Sequence, residues 1–140
     1  MVNRVNDQRL PPERRVKKGA DFDRAYRARK SASDQFLVVY AAANGLSLAR
    51  IGLSVSRKVG NAVRRNRWKR LLREAFRLSQ SQLPTGRDFI LIPRPDAEPT
   101  LAALSKSLIK LSRIAARKVS EAENVARRNQ ALDAERDEEK

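Results

Sequence analysis

The sequence contains neither cysteine nor histidine. Disulfides, thiolate nucleophiles, Cys/His zinc sites and imidazole general bases are therefore excluded. An active site made of protein alone would have to be assembled from carboxylates, lysine, serine or tyrosine. Aromatic residues are scarce, at 5% of the chain, so the few on patterned faces stand out. The longest apolar run, residues 36–43, falls far short of the roughly 20 residues that span a bilayer. The first residues, MVNRVNDQRLPPERR, lack the apolar stretch of a secretory signal, and the absence of cysteine fits a cytoplasmic location. Acids are also in deficit. There are 31 Lys and Arg against 16 Asp and Glu, for a net charge of +15 and a pI of about 11.3. A domain this basic repels itself unless an anionic partner neutralises it. The hydrophobic share of 41% suits one modest core rather than a disordered basic arm.

Residues 1–15 are polar and basic, contain Pro11-Pro12, and are expected to form a flexible leader. Residues 16–30 predict a first helix, with Phe22, Ala25, Tyr26 and Arg29 at helical spacing. Residues 31–34 suit a turn or a short strand. Residues 35–43 and 47–56 predict strands, and Asn44-Gly45 between them predicts a hairpin. Asn61 is placed to cap a helix from residue 62 to about residue 80, ended by Pro84 and Gly86. Residues 89–92, continuously apolar, predict a strand inside a sheet. Pro99 suits the first turn of a last helix, in which Leu101, Leu104, Leu108 and Leu111 form a core-facing stripe. The folded domain is expected over residues 16–116. Residues 117–140 hold six bases against seven acids and few large apolar residues, which predicts a frayed helix or disorder. The remaining +16 therefore lies before residue 117.

The charge is most concentrated between residues 50 and 77. Arg50, Arg57, Lys58, Arg64, Arg65, Arg67, Lys69, Arg70, Arg73 and Arg77 face one acid, Glu74. At about 100° per residue, Trp68, Leu71, Leu72, Ala75, Phe76 and Leu78 share one side of the helix. Asn66, Arg70, Arg73 and Arg77 form a line on another, with Lys69 at its border. Cations about 5–6 Å apart match a phosphate backbone. Arg65 and Arg67 lie near the helix start, where free N–H groups also attract anions. The scarcity of acids argues against a merely solvated cationic face. Trp68, on the apolar stripe, is expected in the core rather than stacked on a base.

The stretch SVSRKVGNAVRRNRWKRLLREAFR resembles the signature of the bacterial ribonuclease P protein subunit. A strand end, a Gly-Asn turn, the Arg65-Asn66-Arg67 triplet, then Lys69-Arg70 and Arg73 occur in order. Weaker similarity spans residues 14–115, including Phe22 and Tyr26, an ARIGLSVS strand with Ala49 where the family has Pro, and DFILIPR at residues 88–94. The resemblance implies an α+β single domain in which a four-stranded mixed sheet packs with three helices in the order α-βββ-α-β-α. It also implies a left-handed βαβ crossover, against the usual hand.

The same resemblance implies that the catalyst is a partner RNA. The ribonucleoprotein removes the 5′ leader of precursor tRNA endonucleolytically, with Mg²⁺ held mainly by the RNA and substrate. The protein would supply no catalytic residue and no metal ligand. Arg57, Lys58, Asn61, Arg65, Asn66, Arg67, Lys69, Arg70 and Arg73 are implied to contact the catalytic RNA. Phe22 and Tyr26 are implied to form one wall of a leader cleft, where aromatic faces stack on unpaired bases. Leu37 and Val39 are expected as the opposite wall, with Phe36, Val38 and Tyr40 as the set one residue out of register. Phe22 and Tyr26 could instead simply anchor the first helix in the core. Neither a membrane nor DNA is expected as a partner. A helix-turn-helix reader would need a short helix before the basic one, where a strand pattern stands. A ribosomal protein would share the composition but not the ordered signature, and a stand-alone nuclease lacks residues to cut with.

Overall fold

The computed structural model describes residues 10–139. The order is α1 (Gly19–Ala28), β1 (Ser31–Ser33), β2 (Leu37–Ala43), β3 (Arg50–Leu53), α2 (Ala62–Ser79), β4 (Arg87–Pro93) and α3 (Leu101–Glu139). The α-βββ-α-β-α order matches the expectation. The strands form one mixed sheet in the spatial order β1-β2-β4-β3. β2 runs antiparallel to both β1 and β4, whereas β3 runs parallel to β4. The crossover between these two parallel strands is α2.

The expected hairpin of β2 with β3 does not form, because β4 lies between them. The chain does turn at Gly45 (φ 70°), and the Leu46 amide donates to Asn44 Oδ1 at 2.8 Å. The loop is then pinned to the start of β4: the Asn44 amide donates to the Gly86 carbonyl, and the Gly86 amide to that of Leu48. The physical reason lies in β4 itself. Phe89, Ile90 and Leu91 are all buried, so both faces of this strand are covered and it needs a partner on each edge.

Each sheet face has its own core. On one, Leu37, Val39 and Ala41 of β2 and Phe89 and Leu91 of β4 meet α2 and α3. α2 buries Trp68, Leu72, Ala75 and Phe76, four of the six residues of the apolar stripe read from the sequence. Leu71 is half-buried against the same core, whereas Leu78 is exposed. α3 adds Leu104, Leu108 and Leu111. At about 1.5–3 kcal/mol per fully buried large side chain, this layer supplies most of the apolar stabilisation. The other face is thin. Val16, Ala25, Ala42 and Ile90 are buried there, with Phe22, Tyr26, Tyr40 and Ile92 partly covered. Ala25 is the one fully buried residue of α1, which is shorter than expected. It stops at Arg29, whose φ of 56° is left-handed.

The two segments flanking residues 16–116 carry structure of their own. Of the expected leader over residues 1–15, residues 1–9 lie outside the described residues; residues 11–13 are exposed, and both ends of 10–15 are held. Leu10 is buried, Arg15 Nε donates to its carbonyl at 2.7 Å, and Arg15 bridges to Ile51. The segment after residue 116 continues α3 without a break to Glu139. Ala115, Ala116 and Val119 extend the core. Arg87 Nη2 donates to Ser120 Oγ at 3.0 Å and Glu123 Oε1 at 2.8 Å, and Lys118 Nζ donates to the Ser31 carbonyl at 2.6 Å. From residue 124 to residue 138 the side chains are exposed.

Candidate nucleic-acid interface

The start of α2 is built from a short 3-10 turn, Arg57–Val59, that buries Val59 and leaves Arg57 and Lys58 exposed. Asn61 Oδ1 then accepts the Arg64 amide at 3.0 Å, capping the helix as its sequence position predicts. The side chain of Arg64 turns back over Gly60. Its Nε donates to the Val59 carbonyl at 2.8 Å, and its two other nitrogens reach the Ala97 carbonyl at 2.8 Å and Glu98 Oε1 at 3.0 Å. Gly60 permits this, since its φ is 145° and an added Cβ would lie 2.7 Å from Arg64 Cδ. Arg64 is thus a staple between the helix start and the segment before α3.

The remaining cations differ in how free they are. Arg57 and Arg70 are exposed and make no hydrogen bond or ion pair among the described residues. Arg65 Nε donates to the Gly60 carbonyl at 3.3 Å and meets no acid. Arg67 lies 3.9 Å from the exposed Glu98 and 3.5 Å from the Pro99 carbonyl. Asn66 is exposed beside them. Arg77 is committed instead, with Nε and Nη2 on the two Glu74 oxygens at 2.6 and 2.9 Å. The line of Asn66, Arg70, Arg73 and Arg77 read from the sequence therefore divides.

Arg73 and Lys69 turn inward. With Arg15 they line a cavity of about 190 Å³ that also touches Phe22 and Gly52. Burial, and then the charge of Arg15, hold the Arg73 guanidinium below its ordinary value; it remains protonated at neutral pH. The Arg-Asn-Arg helix and the first helix thus meet at one shared cavity.

Phe22 and Tyr26 lie on one flank of α1. Tyr26 meets Tyr40 edge-on, with centroids 5.2 Å apart and planes at 88°, and Ile92 packs with them. Leu37 and Val39, expected as the facing wall, are 0% exposed and lie on the opposite sheet face under α2 and α3. The alternation of strand side chains sends Val38, Tyr40 and Ala42 to the α1 face instead. Tyr40 and Ile92 are the sheet residues that pack with Phe22 and Tyr26. The phenol was a usable sequence signal, because a tyrosine keeps its hydroxyl near water while Leu and Val bury completely. Gly52 in β3 lets α1 settle: an added Cβ would lie 2.8 Å from Phe22 Cζ.

The family model for ribonuclease P matches residues 10–116. The chain belongs to the bacterial ribonuclease P protein family. The ribonuclease P protein component of Alkaliphilus metalliredigens is 38% identical over 100 residues, covering 71% of this chain and 90% of that protein. That of Clostridium acetobutylicum is 48% identical over 84 residues, covering 59% of this chain and 71% of the relative. Among solved structures, the Staphylococcus aureus RNase P protein aligns with a TM-score of 0.64 at 39% identity, covering 73% of this chain and 94% of that one. The Thermotoga maritima protein gives 0.65 at 33%, covering 71% and 96%. The continuation of α3 past residue 116 lies outside the family match. No helix among the described residues is long and apolar enough to cross a membrane.

Proposed function

We propose that this chain is the protein subunit of a ribonuclease P ribonucleoprotein. It binds the catalytic RNA through the start and outer face of α2, and the single-stranded 5′ leader of precursor tRNA along the flank of α1. In this way it assists Mg-dependent endonucleolytic removal of the leader, which leaves the mature tRNA 5′ end, in the cytoplasm. The observation that carries the reading is the set of cations at the start and outer face of α2. Arg65 and Arg70 on α2, and Arg57 in the turn before it, stand without an acid partner among the described residues, on a framework fixed by the buried underside of the helix. Uncompensated cations held in fixed positions suit a phosphate backbone.

Among the described residues no group of three acids is placed to hold a metal ion, and Asp21, Asp34, Glu74 and Asp88 are each engaged by arginine, lysine or serine. In this reading Mg²⁺ is held mainly by the RNA and substrate. The side chains here bind and orient; they abstract no proton.

The test is cleavage of precursor tRNA by a bacterial catalytic RNA at low Mg²⁺, with and without this protein. The protein should raise the rate. Cleavage by the protein alone, or no effect on the RNA at physiological salt, would refute the proposal. Replacing both Phe22 and Tyr26 with Ala should weaken precursor binding and leave mature tRNA and catalytic RNA binding unchanged. Equal losses for all three would return these rings to a purely structural role.

A further inference from the structure

Asp88 is the one charged side chain among the described residues that is completely buried. It sits at the start of β4, opposite Ala42 on one side and Arg50 on the other, and points toward α1. Arg50 grips it twice, Nε on Oδ1 and Nη2 on Oδ2, each at 2.7 Å. Asn44 Nδ2 adds a bond to Oδ1 at 3.0 Å. Its own bonds to Asp88 lift the Arg50 guanidinium above its ordinary value, against the opposing effect of burial. The cluster then reaches α1 through two residues. Arg24 Nη2 donates to Asp88 Oδ2 at 3.1 Å, and Asp21 accepts from Arg50 at 3.5 Å and from Arg24 at 3.1 Å.

Helical spacing puts Asp21 and Arg24 on the flank of α1 away from Phe22 and Tyr26. One flank is therefore clamped to the sheet by charge, and the other bears the aromatic wall. Between them α1 completely buries only Ala25, so apolar packing alone fixes its angle weakly.

We infer that the Asp21–Arg24–Arg50–Asp88 clamp is the positioning device for leader recognition, setting how Phe22 and Tyr26 stand above Tyr40 and Ile92. The inference rests on the leader-cleft reading above. Asp21 and Arg24 act through the two rings and need not touch RNA.

The charge of Asp21 makes the test sharp. If electrostatics alone ruled, Asp21→Asn would remove a negative charge near a polyanion and tighten precursor binding. If the clamp positions α1, the same variant weakens it. Binding of precursor tRNA, mature tRNA and the catalytic RNA is measured for the wild type, D21N, R24M and R24K, with melting curves to show that each is folded at the assay temperature. D21N and R24M should each lose about 5–10-fold for the precursor and nothing for the other two RNAs, and R24K should recover part of the loss. A D21N protein that binds precursor as tightly as the wild type or more tightly overturns the inference, as does an equal loss for all three RNAs. If the wild type itself fails to prefer precursor to mature tRNA, the leader-cleft reading falls and takes the clamp's role with it.

Discussion

Replacing Arg65, Arg67 and Arg70 together with Gln should change how binding to the catalytic RNA responds to salt. Each phosphate neutralised by a protein cation contributes about 0.7–0.9 to the slope of log K against log salt. The structure ranks the three. Arg70 has no partner to give up, and Arg65 gives up only a 3.3 Å bond to the Gly60 carbonyl, so each should contribute in full. Arg67 has Glu98 at 3.9 Å and is discounted, though little, because both groups are largely exposed and screened. The slope should fall in magnitude by about 2–2.5. Between about 50 and about 200 mM salt, the variant should lose roughly 16–30-fold less affinity than the wild type loses. The variant binds far more weakly at low salt, and the two curves converge as salt rises.

The assay is the dissociation constant for a bacterial ribonuclease P RNA, measured across that range at fixed Mg²⁺. Arg77→Gln is the internal control. Arg77 shares the helix and the charge but is held bidentately by Glu74, so its removal should shift the slope by less than about 0.3. An unchanged slope in the triple variant would remove this helix face from the interface. A slope change for Arg77→Gln as large as that for Arg70→Gln alone would refute the argument that an internal acid decides which cations are available.

Other consequences can be measured on the protein alone. Gly52→Ala places a Cβ 2.8 Å from Phe22 Cζ and 3.0 Å from Ile90 Cδ1; such overpacking costs about 1–3 kcal/mol, seen as a lower Tm, and an unchanged Tm would mean that α1 lifts freely. Arg29→Gly relieves a left-handed φ of 56° worth about 1–2 kcal/mol, against about 0.5–1 kcal/mol of added chain entropy. The urea midpoint should therefore rise with m unchanged, and a fall would show that Arg29 is not strained. In Asp34, burial raises the pKa but is outweighed by the Ser107 hydroxyl, the Phe36 and Leu37 amides and Lys110, which hold it below the ordinary 3.8. Glu74 is held below 4.5 chiefly by its hydrogen bond to Arg77. A depressed carboxylate stabilises the fold fully above its unfolded pKa and loses that contribution as pH falls through its folded one. Stability should thus decline below about pH 4.5, and Asp34→Asn should flatten the decline; an unflattened curve would remove Asp34 from the acid transition.

How much of this was legible in the sequence depended on the range of the interaction that decided it. The bounds and cap of α2 were readable almost to the residue, because they follow from neighbours within a few positions. Which of its cations stay available was not, since Lys69 and Arg73 turn toward Arg15 and Arg77 is held by Glu74. The Asn44-Gly45 turn was also local, and it formed, yet the hairpin it advertised did not. What decided the pairing lies some forty residues away. A run of Phe, Ile and Leu covered on both faces must be an inner strand, and once residues 89–92 are taken as inner, the strands flanking the turn become its two edges. The same failure of range put Leu37 and Val39 in the cleft. Period-two alternation yields two faces but does not say which one α1 covers, and the hydroxyl of Tyr40 was the available tie-breaker. The last part of α3 was legible only in part. Few large apolar residues left a frayed helix and disorder both open. The helix forms, fastened as far as residue 123 by Val119 and by Ser120 and Glu123 reaching Arg87, and its side chains are exposed from residue 124 to residue 138. Arg87 and Asp88 are adjacent, so the strand that closes the sheet also ties down both the helix outside the family match and, through the buried clamp, the helix that carries the aromatic wall. Short-range patterning thus reveals where this protein is positive; β4 determines where that charge and those rings stand relative to each other.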